Sequence, residues 1–454
     1  MNKVHRPWRP YVTEWQDIVS HKYAGSGTDE EPYVVDWMAT DPESPFGWAH
    51  GYQWWVTILV ASFTFVFTFS SSAYSGAIGS IRSEFPGYQE QTYIAGLSLY
   101  VAGFALGPLV WAPLSELYGR RIVFLLSYAC FVAFNGGVIA CQNIWSLAIV
   151  RFFAGAFGSS VLSNSSGTIS DLFPAKRRGL GISLFASAPF MGPSIGPFIG
   201  GFLGEAGGWR WVAALIAMLS GLAWILGFFC MPETYSPVLL RKRAVKLFEA
   251  TGKIYRSRYE AKEVISGRKI FRKSLIRPWK LLFSEPIVFL LSLYLAIVYG
   301  TLYLLFSAFP VVYSEQRGWS AGLTGLSFLG LMVGFLLALL FTVFIENPRY
   351  TRFLHKNGGS APPEQRLIPA CIGSVALPAG LFWFAWTAAP VEIHWIVSIL
   401  AGVPFGFGMV LVFLSVLVCK LFFIFYIFKK KNCSNGETDK FLLGGCFFCL
   451  SSVW

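Results

Sequence analysis

Long apolar runs, each bounded by polar residues, form the dominant pattern of this chain. A helix needs about 20 mostly apolar residues to cross the hydrocarbon core of a bilayer. Ten runs reach that length, and the hydrophilic stretch Pro232–Glu285, 54 residues long, separates the first six from the last four. The ten predicted spans are Gln53–Gly79, Gln91–Ala112, Ile122–Cys141, Ser146–Ser170, Gly181–Gly204, Trp209–Met231, Pro286–Val312, Ala321–Ile345, Leu367–Thr387 and His394–Leu417.

These runs divide the chain into five predicted segments. Residues 1–52 form an N-terminal segment, 53–231 a six-span bundle, 232–285 a basic central loop, 286–417 a second bundle of four spans and 418–454 an atypical tail. The sequence therefore predicts an all-α polytopic membrane protein with a six-helix N-terminal bundle and an incomplete C-terminal bundle. Secondary transporters made of two repeated helical halves have this plan and bind their substrate between the halves.

The composition agrees with a membrane protein and excludes an ordinary soluble enzyme. Hydrophobic residues make up 55% of the chain and charged residues only 13%, whereas soluble domains carry about 25% charged residues. No histidine lies inside a predicted span, His394 being the first residue of the tenth, and apart from Cys446 and Cys449 the eight cysteines lack the C-x-x-C spacing of a zinc site and indicate no disulfide framework. We therefore predict no enzymatic activity, no cofactor and no metal site. Because no phosphate-binding glycine loop is present, an ion gradient is the expected energy source.

The distribution of positive charge predicts how the spans are oriented. The chain has 36 Lys and Arg against 24 Asp and Glu, a net charge of +12. With the N-terminus inside, 32 of the 36 basic residues fall in cytoplasmic segments and three in outer loops, as the positive-inside rule requires. The remaining one, Arg151, lies within a span. Anionic lipid at the cytoplasmic face accounts for this charge, and no nucleic-acid partner is predicted.

A short loop after the second span carries a specific motif. Gly119 permits a tight turn, and Glu116 can pair with a nearby arginine or accept hydrogen bonds from a helix N-terminus. The motif consists of Ala112, Leu114, Glu116, Gly119, Arg120 and Arg121. It resembles the loop motif of the major facilitator superfamily, G-x-L-x-D-x-x-G-R-R/K. The resemblance implies a latch between the halves that opens when the acid is protonated, and a simple positively charged anchor is the alternative.

The fifth predicted span contains repeated Gly-Pro steps. Gly192, Gly196 and Gly200 share one helical face and permit close backbone approach, while Pro197 removes a backbone donor. Together with Gly201, this sequence resembles G-x-x-x-G-P-x-x-G-G, the motif associated with antiporters of the superfamily. The resemblance implies that the face from Gly192 to Gly201 is the surface on which the halves rock. Ordinary packing of small residues is the alternative.

Two charged residues of the fourth span are candidate functional groups. Arg151 lies inside the span, where a charge costs about 2.5–3.5 kcal/mol at the helix centre, so a functional role is the first interpretation. With Gly155 it resembles the R-x-x-x-G pattern of the family, and an arginine reaching outward to lipid headgroups is the alternative. Asp171 either carries a proton or pairs with the basic residues at 176–178. Glu116 and Asp171 are the predicted proton-coupling groups, with Arg151 as a charge partner or substrate-orienting group.

Three further segments extend the resemblance from Asp41 to Leu417. Asp41–Pro45, Ala361–Leu367 and Gly402–Gly408 look like fungal members of the twelve-span drug:proton antiporter family, the multidrug- and polyamine-resistance group. The resemblance implies proton-coupled export of drugs, toxic amphipathic compounds or polyamines by a multi-pass protein, expected as a monomer in the plasma membrane. Its partners are then a small-molecule substrate, protons and the lipid bilayer. A nutrient uniporter or symporter and a non-transporting truncated isoform are the alternatives.

The resemblance ends after Leu417, where the composition changes. The last 36 residues are rich in Phe and Lys and hold four of the eight cysteines. Two expected spans are missing. Val418 and Cys419 are the in-frame translation of a common fungal splice-donor hexamer, GTATGT, so we expect a translated intron or a frameshift here. Transport by this form is then expected to be weak, and sequencing the transcript across codon 418 tests the hypothesis.

Overall fold

The computed structural model describes residues 12–173, 178–260, 267–357 and 363–434, and this part of the chain is almost entirely helical. The α-helices are α1 Trp15–Ser20, α2 His50–Gly76, α3 Ile78–Glu84, α4 Glu90–Tyr118, α5 Arg120–Ile139, α6 Ile144–Gly158, α7 Ser160–Leu172, α8 Arg178–Gly207, α9 Trp209–Cys230, α10 Ser236–Thr251, α11 Gly267–Ser284, α12 Pro286–Phe309, α13 Ala321–Leu326, α14 Leu329–Phe341, α15 Asn347–Lys356, α16 Ile368–Ala388, α17 Trp395–Leu400 and α18 Gly402–Ser434. Two 3-10 turns, Pro45–Gly47 and Pro363–Arg366, two π-helical turns, Pro310–Gln316 and Thr342–Glu346, and the strands β1 Tyr33–Val35 and β2 Tyr255–Ser257 complete the described elements.

The predicted all-α membrane fold is confirmed. Within the described residues, nine helical segments are long and apolar enough to cross a bilayer, and the predicted fifth span lies in a further 30-residue helix, α8. Some predicted spans are divided. The fourth consists of α6 and α7, which meet at Ser159, and the tenth is divided at Ala401 between α17 and α18.

Two helical halves, α2–α9 and α12–α18, pack by different means. In the first half α2 lies against α8, and α4 lies against α6. Stacked and edge-on aromatic rings fill the space between them, among them Phe67, Tyr100 and Phe131. In the second half α14 and α16 both pack on α18, where Gly334 lies against the backbone of Val403 and Gly380 against that of Phe405. Glycine allows these helices to approach closely because no side chain intervenes.

The outer surface of both halves is strongly apolar. Leu106, Leu304, Val375 and Trp386 have 53–72% of their side-chain area exposed. Soluble proteins rarely expose apolar side chains at this density, so the surface is suited to contact with lipid. The helical backbone suits the same location, because every backbone group inside a bilayer must find its hydrogen-bond partner within the protein. The arrangement of apolar side chains is therefore that of helices embedded in a bilayer.

A small folded unit lies on the side of the first half where the chain enters α2. We call it the N-terminal cap, and it comprises residues 12–48 and 232–260. Its strands β1 and β2 pair in parallel, with Tyr33 opposite Tyr255. A core of apolar side chains joins the two segments: Ile18, Val35, Leu240, Ala244 and Leu247.

The stretch predicted as a basic central loop therefore contains α10, β2 and α11. Its many charges conceal apolar positions that recur at helical spacing, such as Leu240, Ala244 and Leu247, which face the cap core. At the other end of the chain, α18 continues past the predicted end of the tenth span at Leu417 to Ser434, because residues 418–434 contain no Gly or Pro to end the helix. The last part of the predicted tail, 435–454, lies outside the described residues.

Candidate functional site

The loop motif forms a sharp turn between α4 and α5. Gly119 has φ +98°, a conformation that L-residues rarely adopt, and a Cβ at this position would collide with the Glu233 carboxylate. Gly119 is thus required both by the turn and by the close approach of Glu233. The turn exposes the first backbone N–H groups of α5.

Glu233, which directly follows the sixth span, binds these N–H groups. Its carboxylate accepts hydrogen bonds from Arg120 N at 3.1 Å and Arg121 N at 3.2 Å, and from Thr234 N and Tyr235 N at 3.0 Å. A carboxylate here satisfies unpaired donors and the positive end of the helix dipole of α5. Sequence analysis did not select Glu233. Its position, two residues after the sixth predicted span and at the end rich in Lys and Arg, could have identified Glu233 as a candidate.

The side chain of Arg120 forms a buried ion pair beside this turn. Arg120 Nε donates to Asp171 Oδ2 at 2.6 Å, with the Arg120 side chain 1% and the Asp171 side chain 21% exposed. The guanidinium lies 4.8 Å from the centre of the Tyr235 ring, and burial raises the pKa of Tyr235, so its hydroxyl stays protonated. Glu116 is half-buried on α4, and its charge acts on both Arg120 and Tyr235. Both predicted coupling groups, Glu116 and Asp171, therefore act electrostatically on Arg120, and Asp171 is hydrogen-bonded to it.

The structure gives Asp171 a partner that the sequence did not indicate. The expected alternative was pairing with the basic residues that follow it, but Lys176 and Arg177 lie outside the described residues. Arg120, 51 positions earlier, is the partner that the structure describes. The second arginine of the motif has a different role, because Arg121 Nη2 donates to the Phe228 carbonyl at 3.1 Å and so attaches α5 to the end of α9.

Arg151 lies inside the first half and does not reach outward to lipid headgroups. Its side chain is 2% exposed, and Nε donates to the Gly96 carbonyl at 2.8 Å. Nη2 donates to the Ser70 and Ser71 carbonyls at 3.3 and 3.2 Å. The guanidinium also faces two aromatic rings, 4.2 Å from the centre of the Tyr74 ring and 5.0 Å from that of Tyr100. Among the described residues, no carboxylate lies within 4.0 Å of this guanidinium.

Gly155 explains the spacing of the R-x-x-x-G pattern. A Cβ at Gly155 would collide with the Tyr100 carbonyl, so the glycine brings α6 into contact with α4. This approach places Arg151, one turn earlier, within reach of the Gly96 carbonyl. The small residue therefore determines where the buried charge can bind.

The glycines of α8 face two different neighbours. A Cβ at Gly192, Gly196 or Gly200 would collide with α2 of the same half. In contrast, a Cβ at Gly201 would meet the Ala321 carbonyl at the start of α13, in the other half. The face from Gly192 to Gly201, predicted as one rocking surface, is thus divided. Three glycines pack the first half internally, and Gly201 contacts the second half.

Two further contacts join the halves near Gly201. Gly325 of α13 lies directly against Pro197 of α8, where a Cβ would be 2.5 Å from the Pro197 carbonyl oxygen. Deeper in the protein, Ser71 Oγ and Tyr303 Oη are hydrogen-bonded at 3.1 Å. Because the Ser71 carbonyl also binds Arg151, the buried charge is one residue away from a hydrogen bond between the halves. Sequence analysis identified neither Ser71 nor Tyr303.

A cavity of about 270 Å³ lies between the halves on the side opposite the N-terminal cap. Both halves line it with polar and apolar groups together. The polar lining residues include Ser75, Arg82, Glu90, Ser314, Glu315 and Thr324, and the apolar ones include Ile78, Ile94, Phe306, Val311 and Phe328. A mixed lining of this kind suits a molecule with an apolar body and a polar or charged group.

Residues 60–422 match the family described as the Major Facilitator Superfamily. The chain belongs to this superfamily. It is therefore an integral membrane protein of a transporter family, as the loop motif and the apolar helices predicted. Two solved structures show the same fold at low identity. The xylose transporter XylE from E. coli has a TM-score of 0.54 at 18% identity, over 89% of this chain and 90% of that chain. The human organic anion transporter MFSD10 has a TM-score of 0.53 at 16% identity, over 88% of each.

Fungal superfamily members are much more similar in sequence. The multidrug transporter mdrA of Aspergillus fumigatus is 53% identical over 414 residues, which cover 90% of this chain and 68% of that protein. The MFS-type efflux pump MFS2 of Trichophyton rubrum is 52% identical over 402 residues, covering 88% and 67%. The efflux pump FUBT of Fusarium oxysporum is 44% identical over 403 residues, covering 88% and 68%. The predicted resemblance to fungal drug-exporting members of the superfamily is confirmed.

Proposed function

We propose that this chain is a proton-coupled exporter of amphipathic, drug-like compounds. In this proposal it lies in the plasma membrane with the N-terminal cap facing the cytosol. Protons moving inward would drive the compound outward. The names of the fungal relatives, multidrug transporter and efflux pump, support export, and the 32 basic residues in the segments that the sequence predicts to be cytoplasmic support the orientation.

The Arg120–Asp171 pair is the observation that carries the proton coupling. A guanidinium that is 1% exposed depends on a carboxylate that is 21% exposed and so accessible to protons. Breaking a buried pair by removing the charge of one partner costs about 3–5 kcal/mol. Protonation of Asp171 therefore weakens one arrangement of the loop motif, which lies within the first half, and favours another. A ligand can shift an equilibrium between two states by this difference in free energy.

In this proposal, a change at the Arg120–Asp171 pair alters the contacts between the two halves. Gly201, Pro197 and Tyr303 hold the halves together on the side of the cavity, and the Arg120–Asp171 pair lies at the opposite end of the first half. Alternating access requires contacts on one side to open while contacts on the other side close. In this proposal the cavity opposite the cap is where the compound leaves.

Transport into inside-out vesicles tests the proposal. Vesicles containing the 454-residue chain are given an acidic interior, and a fluorescent cationic dye is added outside, with and without a proton ionophore. We expect weak accumulation that the ionophore abolishes. Asp171→Asn should lose pH-driven accumulation while still allowing dye to equilibrate. The matched control Asp36→Asn removes the charge from an exposed Asp–Arg pair of the cap and should behave like the unaltered chain.

Three results would contradict the proposal. Accumulation that is insensitive to the ionophore would exclude proton coupling. Release of a preloaded sugar-like solute together with the outflowing protons, without accumulation of dye, would instead support the nutrient-carrier alternative. Equal accumulation by the Asp171→Asn and unaltered chains would show that the pair has no part in coupling.

A further inference from the structure

The Asp41–Pro45 segment, a motif that the transport site does not use, lies at the centre of the N-terminal cap. The Asp41 side chain is completely buried and the Arg243 side chain is 3% exposed. Arg243 Nη1 donates to Asp41 Oδ2 at 2.6 Å, and Nη2 donates to Asp41 Oδ1 at 3.2 Å and to Glu43 Oε2 at 2.5 Å. Thr13 Oγ1 also donates to Asp41 Oδ1, at 2.5 Å. A planar guanidinium is needed to bind two carboxylates in this geometry.

This cluster joins parts of the chain about 200 residues apart. Asp41 and Glu43 belong to the N-terminal segment, and Arg243 belongs to α10. The Arg243 guanidinium also lies 5.0 Å from the centre of the Trp37 ring. Removing Arg243 leaves the buried carboxylate of Asp41 without its cation, so the N-terminal segment and α10 are bound as one unit.

Both segments continue directly to the Arg120–Asp171 pair. On the Arg120 side, α10 begins at Ser236, next to Tyr235 and close to Glu233, and Arg241 Nη1 donates to the Leu117 carbonyl at 3.5 Å. On the Asp171 side, the N-terminal segment leads into α2, where Gln53 Nε2 donates to the Leu172 carbonyl at 3.0 Å. Trp48 and Tyr52 pack with Leu172 and Phe173 in one apolar cluster: Trp48, Tyr52, Val56, Val60, Ile169, Leu172 and Phe173.

We propose that Arg243 is a positioning residue for the loop motif: by fastening the N-terminal segment to α10, it holds Glu233 and Tyr235 against Arg120 and keeps Asp171 in place. Arg243 touches no part of the pair itself. It acts through α10 on one side and through the N-terminal segment on the other. The effect of Arg243 on transport rests on the proposed function, whereas its effect on the structure of the loop does not.

Hydrogen–deuterium exchange of the full chain in detergent tests the structural part. The amides of Arg120, Arg121, Thr234 and Tyr235 are bonded to Glu233, so peptides covering 115–123 and 231–238 report on the loop motif. We expect Arg243→Gln to accelerate exchange in both peptides roughly tenfold. Arg243→Lys keeps the charge but lacks the planar guanidinium that binds both carboxylates, so it should accelerate exchange by a smaller factor. Arg258→Gln, which breaks the exposed pair with Asp36 in the same cap, should leave both unchanged.

Faster exchange confined to the rest of the cap, residues 12–48 and 239–260, with 115–123 and 231–238 unchanged, would overturn the proposal, because Arg243 would then stabilise the cap without acting on the loop motif. If Arg243→Gln does not accumulate, Asp41→Asn and Glu43→Gln provide the same comparison from the other side of the cluster. In the vesicle assay we expect Arg243→Lys to lower the maximal transport rate roughly tenfold with the KM for dye unchanged. A raised KM with an unchanged maximal rate would also overturn it. Absence of transport in the unaltered chain would contradict the proposed function and leave the exchange result valid.

Discussion

Arg151 keeps its charge inside the first half by binding carbonyl oxygens and aromatic rings. Hydrogen bonds to charged groups contribute about 1.5–3 kcal/mol, and three carbonyls lie within reach of this one guanidinium. The carbonyls of Ser70 and Ser71 belong to α2, and that of Gly96 belongs to α4. The charge therefore joins three helices of the first half at one point.

Arg151→Lys should destabilise the protein although the charge is kept. An ammonium group cannot reach carbonyls on both α2 and α4 and also stack on the rings of Tyr74 and Tyr100. We expect a loss of about 2–3 kcal/mol in the free energy of unfolding, measured in detergent by thermal or denaturant melting. Arg210→Lys, which alters an ion pair that is about two-fifths exposed, is the control and should change stability little. Equal melting of the Arg151→Lys and unaltered chains would contradict the role assigned to the guanidinium.

Tyr303→Phe should favour separation of the halves on the cavity side. The change removes only the hydroxyl bonded to Ser71 Oγ, which is worth about 0.5–1.5 kcal/mol and hence about 2- to 10-fold in the equilibrium between states. The labelling rate of a cysteine placed at Val311, in the cavity wall, by an impermeant thiol reagent measures this in a cysteine-free background. Tyr294→Phe, a partly exposed tyrosine on the same helix, is the control. Unchanged labelling in Tyr303→Phe would show that the hydroxyl does not hold the halves together.

Individual residues were predictable from the sequence only where a local motif identified them. Residue spacing predicted the turn at Gly119 and the face of α8 that carries small residues. The cost of a charge in a membrane predicted that Arg151 points inward. Their partners were not predictable. Glu233 meets Arg120 across 113 positions of the chain and Tyr303 meets Ser71 across 232, and no local pattern records such a contact.

Helix α8 packs against α2 of its own half through Gly196 and against α13 of the other half through Gly201. Substituting either glycine by alanine tests one of these contacts separately. Gly201→Ala would place a Cβ about 2.5 Å from the Ala321 carbonyl oxygen, so α8 and α13 must move apart. We expect faster labelling of the cysteine at Val311 with little change in the melting of the first half. Gly196→Ala should instead lower the melting temperature, since its Cβ meets Ser72 and Ala73 within the same half. Gly300→Ala, with no atom within 4 Å of the added Cβ, is the control. Slower labelling in Gly201→Ala would contradict this assignment.

The cap should keep its stability at neutral pH and lose it in acid. Burial opposes ionisation of Asp41, but hydrogen bonds from Arg243 and Thr13 outweigh it and lower the pKa of Asp41 below its ordinary value of 3.8. Burial likewise opposes the charge of Arg243, yet its hydrogen bonds to Asp41 and Glu43 raise its pKa. A carboxyl with a lowered pKa contributes stability above the ordinary value, and that stability is lost as the pH falls through the folded-state pKa.

Hydrogen exchange of residues 33–41, corrected for the intrinsic pH dependence, measures this behaviour. We expect constant protection between pH 8 and about pH 5 and a loss below about pH 4. Asp41→Asn should show weak protection throughout and no further loss in acid. A decrease of protection in the unaltered chain between pH 8 and pH 5 would contradict the assignment of Asp41.

Elements with a strong apolar pattern were predictable, and those built by tertiary contacts were not. The ten apolar runs lie in the helices of the two halves because length and hydropathy alone decide whether a segment can span a bilayer. The break at Ser159 between α6 and α7 contains no proline, and the small residues Gly158, Ser159 and Ser160 were its available indication. The cap escaped prediction because its strands are three residues long and pair across more than 200 positions, a contact that no local periodicity encodes.

The whole molecule combines a first half that is fastened on the cap side with a second half that touches it near the cavity. The N-terminal segment, α10 and the loop motif are linked through Arg243, Arg241 and Glu233. The contacts of Gly201, Gly325 and Tyr303 lie between α8 or α2 and the second half. Proton coupling in this arrangement requires that binding of the compound and protonation of Asp171 influence each other, and such an influence is reciprocal.

Proton release on addition of the compound, recorded with a pH indicator in weakly buffered detergent solution, tests this reciprocity most directly. We expect the unaltered chain to release protons when a cationic dye binds, Asp36→Asn to release the same amount, and Asp171→Asn to bind the dye without releasing protons. Equal release by the Asp171→Asn and unaltered chains, at equal dye binding, would contradict the account.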